Sequence, residues 1–136
     1  MFYVSLGVVL TVFVIAGLVL RHLVKVSRLR TEEETGLTPV FEETGGCRID
    51  AINYTWPLAR HSVYEDFIVI KCIGGAYILP RENLAVKSAD GVFSSGISYS
   101  SPKHPGREFI VWTKNEDRIL RILKMTLNNR TQTDEN

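Results

Sequence analysis

The sequence has few of the residue patterns that mark catalytic or metal sites. It contains two cysteines and three histidines in 136 residues, and none of them forms a C-x-x-C or H-x-x-x-H pair. Cys47, Cys72, His61 and His104 fall on separate predicted elements, whereas a structural zinc site takes closely spaced ligands. There is no Gly-x-Ser-x-Gly elbow and no glycine-rich phosphate loop before a helix. We therefore expect no metal site, no cofactor and no catalytic residues.

The sequence also lacks an excess of charge over most of its length. From Gly36 onward twelve Lys or Arg residues stand against twelve Asp or Glu residues. Nucleic-acid-binding domains take much of their affinity from basic surface. This balance predicts no nucleic-acid partner, and it argues against a domain that finds anionic lipid by bulk charge alone.

No charged residue occurs between Phe2 and Leu20. A helix over these residues would be roughly 28 Å long, close to the hydrocarbon thickness of a bilayer. A cleaved signal peptide begins with a basic region, and nothing basic precedes this run. The pattern therefore predicts an uncleaved transmembrane helix over 2–20 that acts as a signal-anchor.

Basic residues follow the apolar run directly, and the positive-inside rule then places the N-terminus outside and the rest in the cytoplasm. The predicted anchor and flank comprise Phe2, Tyr3, Leu20, Arg21, Lys25, Arg28 and Arg30. The flank is either a topology determinant, which we favour, or a contact with anionic headgroups. We expect a bacterial inner membrane. Gly7 and Thr11 form a small-xxx-small pair that can seat a partner helix.

Beyond the anchor the pattern predicts a basic-then-acidic juxtamembrane helix over 21–35, a linker over 36–45, a β domain over 46–127 and a disordered tail over 128–136. The period of two and the turn signals indicate seven short strands. Their predicted ranges are 47–53, 58–64, 67–73, 76–79, 83–88, 96–100 and 108–112. The period then becomes 3.6, which predicts a C-terminal amphipathic helix of about thirteen residues.

Seven strands followed by one amphipathic helix resemble the pleckstrin-homology-like (PH-like) superfold, in particular the small bacterial PH-like and GRAM-like domains. The Asn53-x-Thr55-x-Pro57 motif and the Glu65-Asp66 turn add to the resemblance. It implies a seven-stranded barrel or sandwich capped by the helix. It also implies a peptide groove lined by Leu84, Val86, Ile119 and Ile122. A five-stranded OB-like barrel is the competing fold, but it leaves two strands and the helix unexplained.

The resemblance raises lipid binding as well, but the sequence departs from that motif. The family's phosphoinositide site is a basic cluster around the first hairpin, whereas residues 53–57 contain no Lys or Arg. Arg48 and Arg60 on the flanking strands are the remaining candidates for a headgroup or partner contact. Trp56 is a third candidate, although we favour a role for it in closing the core.

These patterns together favour a single-pass, non-catalytic adaptor or accessory subunit of a membrane protein assembly. Its partners would be the membrane and other membrane proteins, reached through a cytoplasmic PH-like domain. The alternative is a module that senses lipid headgroups, and an unrecognised enzyme is third.

Overall fold

A computed structural model describes the backbone of residues 2–91 and 94–133 and the side chains of 7–91 and 94–124. It confirms the predicted order of one N-terminal apolar helix, seven strands and a C-terminal helix. The elements are α1 (Phe2–Arg28), a 3-10 turn (Glu32–Glu34), β1 (Phe41–Ile49), β2 (Ile52–Val63), β3 (Phe67–Cys72), β4 (Gly75–Pro80), β5 (Ala85–Asp90), β6 (Ser95–Ser100), β7 (Phe109–Trp112) and α2 (Glu116–Thr133).

The seven strands form one antiparallel sheet in the order β4-β3-β2-β1-β7-β6-β5. The sheet curls into a half-barrel, and β4 and β5 are its two edge strands. Alternate residues of each strand point into the concave side, as the period of two requires. The core therefore runs along directly opposed pairs such as Tyr99–Phe109 and Ile97–Val111, all of them buried.

Helix α2 covers the core with one apolar stripe. Ile119 and Leu123 are buried in it, and Leu120 and Ile122 are half-buried against it. The basic side chains on the opposite side of the helix are exposed, as the 3.6-residue period predicts. The prediction of a disordered segment over 128–136 is wrong for 128–133, which continue α2, while 134–136 lie outside the described residues.

Helix α1 carries the longest apolar surface of the chain. Residues 7–28 form a helix that is long and apolar enough to cross a membrane, with a mean hydropathy of 2.2. Side chains from Gly7 to Leu20 are exposed in the structure, which contains no membrane and no partner. The side chains of Phe2 and Tyr3 lie outside the described residues. The last turns of α1 are not fully exposed, because they lie against β2 and β3, where Ser27 is buried.

The segment after α1 is structured differently from the prediction. The helix ends at Arg28 rather than running to 35, because Glu34 turns back to accept a hydrogen bond from the Thr31 amide and to bind the sheet. The linker is also shorter than the predicted 36–45, because β1 already begins at Phe41 and pairs there with Val63.

The predicted strand over 47–53 is wrong, because these residues form the first hairpin. The chain turns at residues 50–51, with Asp50 at a positive φ of 55°, and β2 begins at Ile52. Aspartate tolerates this left-handed conformation better than most residues. The predicted β3, β4, β6 and β7 agree with the observed strands to within one residue at each end.

Candidate functional site

Two features of the fold have the burial and chemistry of a functional site, and the first is the junction between α1 and the sheet. Arg60 points outward from β2, and the 3-10 turn brings Glu34 over it. The guanidinium donates to both Glu34 carboxylate oxygens at 2.6 Å. Glu34 and Arg60 are 1% and 3% exposed. An ion pair this deep needs further partners to offset its desolvation.

Those further partners come from both sides of the junction. Arg60 also donates to Glu42 at 3.1 Å, to Ser62 at 3.0 Å and to the Leu29 carbonyl at 3.2 Å. Tyr64 donates its hydroxyl to Glu34 at 2.8 Å. The carbonyl of Leu29 follows α1 directly, so these bonds fix the end of the helix to the sheet.

The electrostatics of the junction follow from this geometry. Burial alone would raise the pKa of Glu34, but hydrogen bonds from Arg60, the Thr31 amide and Tyr64 outweigh it and lower the pKa from 4.5 to about 2. Burial and the bond to Glu34 raise the pKa of Tyr64 to about 12. Glu34 is therefore ionised and Tyr64 neutral at physiological pH.

The second feature is a groove of about 940 Å³ beside the middle of β1 and β2. It originates in a register shift. Gly45 pairs with Ala59, yet Cys47 pairs with Tyr54, so residues 55–58 of β2 lie opposite Gly46 alone. We call residues 55–58 the β2 excursion. A side chain at Gly46 would approach the Tyr54 carbonyl to 2.9 Å, so the chain entering the excursion passes too close for any residue but glycine.

Aromatic side chains line the groove. Both tryptophans of the chain are in it, and Tyr54 joins them. Trp56 lies on the excursion and is 72% exposed. Trp112 lies across Gly46 and Gly96, where an added Cβ would approach its ring to 3.4 and 3.0 Å. Large apolar side chains beside amide and hydroxyl groups are the usual lining of a binding site.

Polar side chains close one end of the groove. Glu43 accepts hydrogen bonds from Thr113 at 2.9 Å and from the Asn115 amide at 3.1 Å. Its other carboxylate oxygen lies 3.6 Å from Nδ1 of the buried His61. Burial alone would raise the pKa of Glu43, but the His61 imidazole and the bonds from Thr113 and Asn115 lower it.

His61 lies in the interior, between the Glu43 carboxylate and the Tyr99 hydroxyl. Its Nε2 lies 3.2 Å from the Tyr99 hydroxyl, and its ring packs against Phe41. Among the described residues no group of three or more His, Cys, Asp or Glu side chains has the arrangement of a metal site.

The predicted headgroup contacts lie apart from one another. Arg48 forms an exposed ion pair with Glu108 at 3.7 Å. Arg60 is buried against Glu34, so its prediction as a headgroup contact is wrong, because the same charge already holds the junction. Trp56 does not close the core as expected, because the excursion moves it out to the rim of the groove.

The predicted peptide groove between β5 and α2 is filled by its own residues. Ile119 is 0% exposed, and Leu84, Val86 and Ile122 pack on the core. Gly7 and Thr11 lie on the exposed part of α1, where the Thr11 hydroxyl donates to the Gly7 carbonyl at 2.8 Å. Arg21, Lys25 and Arg28 are exposed, as a flank requires, whereas Arg30 donates to Tyr64 at 3.0 Å and joins the junction.

No family model, curated protein or solved structure matches this chain.

Sequence reasoning missed the junction and the groove. The signal for the groove was Gly45-Gly46, which spans the predicted boundary between the linker over 36–45 and the β domain, although both glycines lie inside β1. The signal for the junction was Arg60 in the middle of a predicted strand, because an arginine buried on a sheet needs an acidic partner. No local pattern identified Glu34 as that acid.

Proposed function

We propose that this chain is a single-pass membrane protein whose PH-like domain holds a partner protein at the membrane, as a non-catalytic adaptor or accessory subunit. The observation that carries the proposal is the buried junction. Because Glu34 and Arg60 fix the domain to the end of α1, the domain and the membrane helix form one unit. A partner bound to the domain would thus be held in one orientation relative to the bilayer.

The rest of the proposal rests on the order of the elements and on the groove. Seven antiparallel strands and a terminal helix across the concave face support a PH-like domain. The basic residues after Leu20 support a cytoplasmic location for it. The groove supplies an exposed aromatic surface of the kind that anchors protein interfaces, where tryptophan, tyrosine and arginine contribute most of the binding energy.

The test is affinity purification of the full-length chain from its native membrane in mild detergent, with quantitative mass spectrometry. Three variants separate the sources of binding: Trp56→Ala, a matched exposed control Lys87→Ala on β5, and a chain with residues 2–20 replaced by an unrelated membrane helix. We expect another membrane protein to be recovered with the unaltered chain in a fixed stoichiometric ratio. The Trp56→Ala variant should no longer recover this partner, and the Lys87→Ala variant should recover it as the unaltered chain does. If the partner is still recovered after residues 2–20 are replaced, the β domain and not the membrane helix binds it. If the unaltered chain recovers no partner in a stoichiometric ratio, the proposal that the protein is an adaptor is refuted.

A second candidate is contact with lipid, and one observation favours it. Ile52 and Trp56 are 59% and 72% exposed on the same strand, as suits an apolar edge at a bilayer interface. A soluble fragment for liposome binding must begin at Arg21 rather than at Gly36, since the shorter one would leave Arg60 without Glu34. Binding that depends on headgroup charge and is lost in Trp56→Ala would favour lipid over a protein partner.

A further inference from the structure

Helix α2 lies across one end of the half-barrel, where β1 begins and where β2 and β4 end. We call this the α2 end. The Arg118 guanidinium of α2 lies 5.4 Å from the centre of the Phe41 ring at the start of β1. Arg81, just after β4, donates to two carbonyls of α2 at 3.2 and 3.0 Å and to the Tyr64 carbonyl after β2 at 3.1 Å. The outer side of α2 therefore faces away from the strands at this end.

Helix α1 reaches the domain from the same end. Val69 of β3 is 0% exposed although its side chain faces away from the core, since its neighbours Ile68 and Ile70 face inward. The last turns of α1 lie against β2 and β3 and cover it. The Leu29 carbonyl, just past the helix, is bound by Arg60, which lies farther from the α2 end than Val69 does. The earlier turns of α1 thus project beyond the α2 end.

The bilayer around α1 begins close to the α2 end. Side chains as far as His22 are exposed, whereas Leu23 is the first to be half-buried. Leu23 lies three residues beyond Leu20, the last residue of the uncharged run, which is roughly 5 Å of helix rise. The headgroup layer is about 5 to 8 Å thick on each side of the hydrocarbon. With the proposed membrane span over 2–20, on which this inference rests, the α2 end lies at the headgroups.

The outer side of α2 is basic. Arg118, Arg121 and Lys124 follow one another at a spacing of three residues, and all three are exposed. Val40 is 47% exposed and directly precedes Phe41, over which Arg118 lies. The flank of α1 adds three exposed basic residues, Arg21, Lys25 and Arg28. The exposed acids in the turns and on the helix at this end are Glu65, Asp66, Glu82 and Asp117. An excess of basic side chains beside an apolar one is typical of a surface that binds anionic lipid.

We propose that α2 is a second membrane contact, and that its basic face rests on the anionic headgroups of the leaflet from which α1 emerges. Its ligand is the charged lipid surface, because Arg118, Arg121 and Lys124 lie in a row along an exposed helix. Each Lys or Arg near such a surface strengthens binding by roughly fivefold. The domain is then held at two points, by the buried junction and by α2, and this fixes its tilt against the bilayer.

The test compares full-length protein in nanodiscs of phosphatidylcholine with the same protein in nanodiscs that also contain phosphatidylglycerol. Acetic anhydride, an uncharged reagent, acetylates the exposed lysines, and mass spectrometry measures the rate at each one. We expect Lys124 to react several-fold more slowly in the anionic discs, and the exposed control Lys87 on β5 to react equally in both. Arg121→Glu should remove most of the difference at Lys124, because it reverses a charge one turn away. The matched control Lys87→Glu should leave that difference unchanged.

Equal acetylation of Lys124 in the two kinds of disc would overturn the inference. Slower acetylation in anionic discs that persists in Arg121→Glu would overturn it as well, because the rate would then report the surface potential rather than a contact by α2. A chain that does not enter the discs would refute the proposed membrane span and this inference with it. That result is distinct from a chain that enters the discs and shows equal acetylation, which refutes the contact by α2 alone.

Discussion

The variant Glu34→Gln tests whether the buried ion pair holds the domain to α1. Glutamine has the shape of a protonated glutamic acid, so the substitution removes the charge and little else. The lowered pKa of Glu34, from 4.5 to about 2, measures how strongly the folded protein prefers the ionised form. At about 1.4 kcal/mol per pKa unit this preference is about 3 kcal/mol. Loss of one partner from a buried ion pair costs a similar amount, about 3 to 5 kcal/mol.

The expected loss of stability in Glu34→Gln can be measured in two ways. In chemical denaturation of the full-length protein in micelles, followed by tryptophan fluorescence, the free energy of unfolding should fall by about 3 kcal/mol. Limited trypsin digestion after Arg30 should also become faster, by up to roughly a hundredfold if cleavage requires the junction to open. Glu33→Gln is the matched control, because Glu33 is an exposed residue of the same 3-10 turn. It should change stability by less than about 0.5 kcal/mol.

The double variant Glu34→Gln with Arg60→Met, together with the two single variants, forms a double-mutant cycle. Because the two side chains are in direct contact, its cost should be clearly smaller than the sum of the single costs. If Glu34→Gln costs no more than Glu33→Gln in both assays, the ion pair does not hold the junction, and the fixed orientation in the proposed function is lost with it.

Three further predictions follow from the same contacts. Glu34 and Glu43 both have lowered pKa values in the folded state, so the stability they contribute is present above about pH 4.5 and decreases below it; for Glu34, whose pKa is about 2, the loss should continue as the pH falls toward 2. Thermal unfolding against pH should show this loss, and Glu34→Gln should reduce it. Gly46→Ala should destabilise the fold by about 1 to 3 kcal/mol, because the new methyl group would meet the Tyr54 carbonyl, as denaturant titration can measure. Ile119→Ala should cost about 2 to 5 kcal/mol in the same titration, because Ile119 is fully buried between α2 and the sheet.

The elements that could be predicted are those whose signal is local. The run from Phe67 to Cys72 is rich in β-branched residues and is a strand because every second side chain enters the core. Helix α2 was predictable for the same reason, because Ile119 and Leu123 recur at the spacing of one turn. In each case the burial pattern follows from the chain's own periodicity, whatever the rest of the fold does.

The elements that could not be predicted depend on partners far along the chain. Glu34 and Arg60 are 26 residues apart, and the acidic run that contains Glu34 is typical of a solvated helix face. Only the folded sheet places the arginine under it. The groove was missed for a related reason, since Gly45-Gly46 has the composition of a linker. Two adjacent glycines can either end a strand or permit a bulge within it. The outcome depends on which part of the chain packs against them, and here that is the Tyr54 backbone.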